Sequence, residues 1–217
     1  MFGVRLAGLL AAAAIALTCP VRTAAALSVP PAQEILQRML TTVAALPEVV
    51  SADVEFRLRI VKSLTAPPDC VFRGTVKVTA GHPTVRIHGH TFGLLCWAVD
   101  QYVIGRQFAG SEPLERFLSR FEFEVLGVKL VGNGRYYLLE GKARDSGNDP
   151  NMMIGWIDFD RGLLVDGTVA YSWGSIDTVQ SYTQMGRLWM PTYQVLHAPR
   201  FDASMEIVYS NFQFDAR

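Results

Sequence analysis

Arg135 to Trp173, RYYLLEGKARDSGNDPNMMIGWIDFDRGLLVDGTVAYSW, holds three apolar runs separated by two turn signals, and its reading decides the fold class. RYYLLEG (Arg135 to Gly141) is the first run. A polar loop from Asp145 to Asn151, with Gly147 and Pro150, leads to MMIGWIDF (Met152 to Phe159), which ends at Asp160-Arg161-Gly162. Short loops ending in Gly suit hairpins, because Gly tolerates positive φ without a Cβ clash. In the third run Val165, Val169, Tyr171 and Trp173 share one parity, and Asp166, Thr168, Ala170 and Ser172 share the other. Such alternation predicts a strand with one apolar face and one wet face. Three successive antiparallel strands follow.

The same rhythm extends in both directions. Val50 to Lys62 sets Val54, Phe56, Leu58 and Ile60 against Asp53, Glu55, Arg57 and Arg59, a strand of roughly 43 Å at about 3.3 Å per residue. Further runs are Val71 to Thr79, Thr84 to His88, Thr91 to Val99, Gln101 to Gln107, Ile176 to Met185, Leu188 to His197 and Ala203 to Phe214, divided by Gly and Pro signals. In FEFEVLGVKLVG the apolar parity changes from Phe121, Phe123 and Val125 to Leu126, Val128 and Leu130, which predicts a bulge or turn at Val125 to Gly127.

Two helices interrupt the strands. Pro30-Pro31 precedes AQEILQRMLTTVAAL, where Ile35, Leu36, Met39, Leu40, Val43 and Leu46 recur at helical spacing and Pro47 closes the run. Ser111 would cap a shorter helix from Glu112 to Arg120, with Leu114, Phe117, Leu118 and Phe121 on its apolar side. The chain is thus expected to be mainly β with two short helices, a single curved antiparallel sheet curling around them.

Met1 to Ala26 reads as a cleaved secretory signal, with Arg5, an apolar run from Leu6 to Leu17 and small residues at Thr23 to Ala26. The apolar run is short of the roughly 20 residues that span a bilayer. Ala16-Leu17-Thr18 before Cys19 departs from a lipobox, so anchoring through Cys19 or an uncleaved N-terminus is the lesser alternative. Residues 27–217 would form one exported, periplasmic or extracytoplasmic domain. It would carry 18 basic and 20 acidic side chains, a balance that argues against a nucleic-acid or polybasic membrane-surface role. Cys70 and Cys96 are then the remaining thiols, and in an exported protein two such cysteines are expected to form one disulfide, here joining neighbouring strands.

Nucleophile elbows, P-loops, dinucleotide fingerprints, H-E-x-x-H and EF-hand loops are absent from the sequence. His88 and His90, with His82 nearby, would share a strand face at i, i+2 spacing as some metal sites require. Gly89 between them and Thr91-Phe92 after them read instead as a hairpin tip, so no metal site is expected. Asp158 and Asp160 sit at a Gly turn, where Asp commonly bonds its own backbone. Neither catalytic residues nor a cofactor are expected.

The order YYLLEG, a polar loop, IGWIDFDRGL, a Gly turn at Gly174, a strand with Tyr182 and then LWMPT (Leu188 to Thr192) resembles the bacterial outer-membrane lipoprotein-sorting family, the LolA-like periplasmic lipid carriers and sensors. The likeness extends loosely over Pro31 to Phe214. It implies a half-open β-barrel whose concave apolar face is covered by helices. The arginine that regulates lid opening in such carriers has no matched position here. On this reading the cavity wall would come from Val54, Phe56, Leu58, Trp97, Phe123, Trp156, Tyr171, Trp173 and Tyr193. The lid would come from Leu36, Met39, Leu40 and Val43 with Leu114, Phe117 and Leu118. Core filling is the competing role for each aromatic. The expected function is non-enzymatic binding of lipid or lipoprotein acyl chains by a monomer. The alternative is an envelope sensor or interaction module that meets a membrane-protein partner with the same sheet.

Overall fold

The computed structural model describes residues 28–60, 69–79, 82–91, 96, 113–147 and 149–215, with only the backbone at 82. The expected signal segment, the strand Gln101 to Gln107 and Trp97 lie outside the described residues. Helix α1 (Ala32–Ala44) is followed by β1 (Val49–Ile60), β2 (Cys70–Thr79) and β3 (His82–His90). A one-turn helix, α2 (Leu114–Leu118), precedes the strands β4 (Phe121–Val131), β5 (Gly134–Ala143), β6 (Met152–Asp158), β7 (Leu163–Tyr171), β8 (Gly174–Met185), β9 (Leu188–Ala198) and β10 (Ala203–Phe214). Helix α1 opens after Pro31, and α2 after Pro113, since a proline near a helix start loses no helical hydrogen bond.

All ten described strands form one antiparallel sheet in the order β3-β2-β1-β10-β9-β8-β7-β6-β5-β4, which is open at β3 and β4. Two meanders, β1 to β3 and β4 to β10, are joined where the first strand pairs with the last. That pairing runs from Val50 opposite Phe214 to Ile60 opposite Ala203, with one irregularity between Ser51 and Asp53. Strands β3 and β4, consecutive among the described strands, are thus the two ends of the strand order.

The alternation in β1 is as the sequence predicts: Ala52, Val54 and Phe56 are buried, and Glu55 and Arg57 meet at the surface. The bulge predicted at Val125 to Gly127 is present as a register shift against β5. Two expectations change. Strand β3 continues to His90, so Gly89 lies inside a strand and not at a hairpin tip. Cys96 is helical, so its bond to Cys70 staples a strand to a helical residue and not two strands together.

Two apolar clusters occupy the inner face. One gathers Ala52, Val54, Phe56, Phe72, Val76 and Ile207 around the Cys70–Cys96 disulfide. The other packs Ala32, Ile35 and Met39 of α1 on Tyr137, Leu139, Ile157 and Phe159. Full burial of one such side chain is worth about 1.5–3 kcal/mol, so α1 is held chiefly by this stripe. The turn between β6 and β7 fixes its far end. Thr42 Oγ1 donates to the Arg161 carbonyl at 2.8 Å, and the Arg38 guanidinium lies 4.1 Å from the Phe159 ring centre. Gly162 has φ +67°, and a Cβ there would lie 2.5 Å from Thr42 Oγ1 and 2.7 Å from the Arg38 carbonyl oxygen.

Gly162→Ala is therefore expected to lower unfolding free energy by about 2 kcal/mol or more, combining left-handed strain with displacement of α1. Urea titration of both proteins measures it. Loop-closure entropy for cysteines 26 residues apart gives about 3.5 kcal/mol, so the double variant Cys70→Ala/Cys96→Ala should lose roughly that amount in the same assay.

Candidate functional site

Between the two clusters the inner face is hollow. A cavity of about 310 Å³ lies on β5 to β9 beneath both helices, near the lower end of the ~300–1,000 Å³ typical of small-molecule sites. Its depth has a cause in the register. Cross-strand partners run from Leu139 through Gly155, Gly167 and Thr178 to Leu196, so two adjacent strands present glycine at the middle of the floor. A Cβ on Gly167 would lie 2.7 Å from the Ile154 carbonyl oxygen, and one on Gly155 would lie 2.7 Å from Leu164 Cδ1. Met153, Ile157, Leu164, Val169 and Ile176 complete the apolar wall.

The lining contains no charged side chain, but it is not wholly apolar. Gln180 and Gln194 are directly opposed on β8 and β9. Gln194 Nε2 donates to Thr178 Oγ1 at 3.3 Å, and its Oε1 accepts from Tyr209 at 3.3 Å. Tyr182 donates to the Leu164 carbonyl at 2.9 Å, with Gln180 Oε1 2.5 Å away. Burial pushes the Tyr209 hydroxyl up to about 12 and raises that of Tyr182 further, so both remain protonated donors.

Leu36 and Met39 of α1 and Leu114, Phe117 and Leu118 of α2 face the cavity, together with Phe123 and Tyr171. Leu40 and Val43 do not. Leu40 lines two grooves at the seam between the helices, and Val43 lines one of them. Leu36, Leu118 and Phe123 line both the cavity and the groove that carries Glu115, Glu122 and Arg144, so these three side chains partition cavity from rim.

Several residues expected on the wall lie elsewhere. Val54 and Phe56 are buried in the disulfide-side cluster with Leu58 packed against them, where Phe72, Ile207 and the cystine fill the space. Trp156 pairs with Leu138 and Asp166 on the outer face, under Lys129 Nζ at 3.9 Å from its ring centre. Tyr193 also points outward: the register slips between Ser181 and Tyr182, which skips Thr192 and turns Gln194 inward. Trp173 sits in the β7–β8 turn, stacked on Tyr171 with ring centres 5.0 Å apart. Val165 is skipped by a slip between Trp156 and Ile157, and Leu164 takes the inward place. Sequence reasoning missed Gly155, Gly167, Thr178, Gln180 and Gln194. The parity shared by Ile176, Thr178, Gln180 and Tyr182 was the available signal for the polar part.

The histidines diverge. A slip between Arg73 and Gly74 sets His90 opposite Phe72, whereas His88 Nε2 lies 2.9 Å from Thr75 Oγ1 on the other face. Among the described residues no group of three His, Cys, Asp or Glu side chains could hold a metal ion. Asp158 and Asp160 are tied separately, to Arg161 and to Arg135, and the Arg135 guanidinium holds the Asp160 carboxyl below its ordinary value. Both carboxylates brace the turn under α1.

No protein-family model matches this chain, and no curated protein matches it in sequence. Solved structures do. A LolA superfamily protein from Nitrosomonas europaea superposes with a TM-score of 0.61 at 14% identity, over 87% of this chain and 96% of its own. An outer-membrane lipoprotein-sorting protein domain from Vibrio parahaemolyticus gives 0.58 at 13% identity, over 83% and 92%. A DUF1329 family protein from Desulfovibrio piger gives 0.57 at 10% identity, over 87% and 95%. Identities this low speak to the fold alone, and on the fold they agree with the open ten-stranded sheet and its covering helices: the chain has the LolA-like fold.

Proposed function

We propose that this protein is an exported, non-enzymatic carrier that holds acyl chains of a lipid or lipoprotein in the cavity between β5–β9 and the two helices. The observation that carries this reading is the lining, which is predominantly apolar and free of charged side chains. Burying an acyl chain gains about 0.8 kcal/mol per methylene, or on the order of 10 kcal/mol for a dozen before the costs of association. A cavity and an opening suffice for such a cargo. Met1 to Ala26 as a cleaved signal and the Cys70–Cys96 disulfide support an extracytoplasmic site of action, and no helix among the described residues is long and apolar enough to cross a membrane. The protein would act as a monomer.

A second reading, an envelope sensor that binds a membrane-protein partner, is favoured by one feature. Among the described residues strand β4 ends the sheet unpaired on its outer side, and Leu126, Leu130 and Val131 on it are each about half exposed or more. A photo-crosslinker at Leu130 that captures a membrane protein from intact cells, and a protein that carries no lipid, would together shift the assignment to this role.

Native mass spectrometry with lipid extraction of the protein from an exported preparation tests the carrier reading. A species with acyl-chain masses that leaves on denaturation is expected. Val169→Trp, which fills the wall, should reduce that species at least roughly tenfold while destabilising the fold by only about 1–3 kcal/mol. A clean apo mass that also fails to shift with added phospholipid would overturn the proposal.

A further inference from the structure

The polar row in the cavity is unexplained by acyl-chain binding alone. A cavity built only to hold hydrocarbon would gain from leucine at positions 180 and 194, as it does at 139, 164 and 196. Instead two amides and a hydroxyl stand together there, and their hydrogen bonds within the protein leave donors over. Gln194 Nε2 uses one N–H on Thr178, so its second N–H remains. Thr178 Oγ1 accepts that bond and retains its own proton to donate. Tyr182 has one proton and two acceptors within reach, the Leu164 carbonyl and Gln180. Whichever way the Gln180 amide is turned, it keeps at least one N–H unused by the protein.

We infer that Gln180, Gln194 and Thr178 form a subsite for an uncharged carbonyl-bearing linkage, the ester or amide that joins an acyl chain to the rest of its ligand. The inference rests on the carrier reading and names the part of the ligand that this face would recognise. Charge selects the class. With no Lys, Arg or His in the lining, a carboxylate or phosphate at this depth would be desolvated without a counter-ion, which is far costlier than burying a neutral carbonyl. Carbonyl oxygens accept from N–H and O–H donors, which is what the row supplies. Position agrees with this. Thr178 adjoins the Gly167 floor in the ladder, and Gln180 and Gln194 lie one inward place further along β8 and β9, so a chain would lie over the glycines with its linkage beside them.

The test compares three ligands of equal chain length: monolauroyl glycerol, n-dodecane and laurate anion at pH 8. Each displaces a neutral fluorescent probe, N-phenyl-1-naphthylamine, from the delipidated mature protein. The ester is expected to bind roughly tenfold tighter than dodecane and more tightly than laurate. Gln180→Met, which leaves Tyr182 its Leu164 carbonyl, should lower the ester-over-dodecane preference about 3- to 10-fold, the range for one net hydrogen bond. Gln194→Met should act in the same direction, with a thermal melt confirming that it folds despite the loss of the Tyr209 acceptor. Equal binding of ester and dodecane, laurate binding as tightly as the ester, or a Gln180→Met protein that still prefers the ester to the same degree would overturn the subsite while leaving the carrier reading intact. Failure of every ligand to displace the probe would overturn both.

Discussion

The antiparallel pairing of β1 with β10 is the constraint on which the architecture depends. It joins a three-stranded N-terminal meander to a seven-stranded C-terminal one and places β3 and β4 at opposite edges of a single sheet. A connection between opposite edges cannot be a hairpin. Of the residues described between them, Cys96 and α2 both pack on the inner side. Helix α2 covers the cavity, and the disulfide ties Cys96 to β2.

The two halves of the inner face then diverge for a packing reason. On the disulfide side, Phe56 and Phe72 are directly opposed, with Ile207 on the other flank of Phe56, and these large side chains are fully buried. On the other side, the equivalent stripe has Gly155 opposite Gly167; Leu164 Cδ1 reaches over Gly155, and the cavity lies beside it on the same floor. Aromatic pairs close a sheet's inner surface, and glycine pairs open it. A single sheet therefore contains a filled half and a half with a cavity, and the aromatic content of a strand says more about the first than the second.

This division explains what the sequence could convey. Strand β1, helix α1 and the bulge at Val125 to Gly127 were legible because each involves a clean change of parity or period along the chain. The disulfide was legible from export and cysteine number. The site was legible only in part, because three register slips invert parity where it matters. Thr192 and Val165 are skipped, which turns Tyr193 outward and Leu164 inward, and His88 and His90 are separated in the same way. Trp156 failed for another reason: MMIGWIDF is apolar at both parities, and the inward set turned out to be Met153, Gly155 and Ile157, with the smallest residue at the functional centre. A search that favours large rings cannot find a wall defined by missing side chains.

Access to the cavity follows from the unequal attachment of its two covers. Helix α1 is held by three buried residues, by the Thr42 bond to the β6–β7 turn, by the Arg38 contact with Phe159 and by the close approach of Gly162. Helix α2 is a single turn with one buried residue, Leu118. Exposing Leu118 and Phe117 costs on the order of 3–5 kcal/mol, whereas lifting α1 would expose Ile35 and Met39 and also break its polar anchors. That cost corresponds to an open population of roughly 0.02–0.6%, which a ligand with differential affinity for the open form could draw on. Of the two covers, α2 is therefore the one whose displacement would cost less.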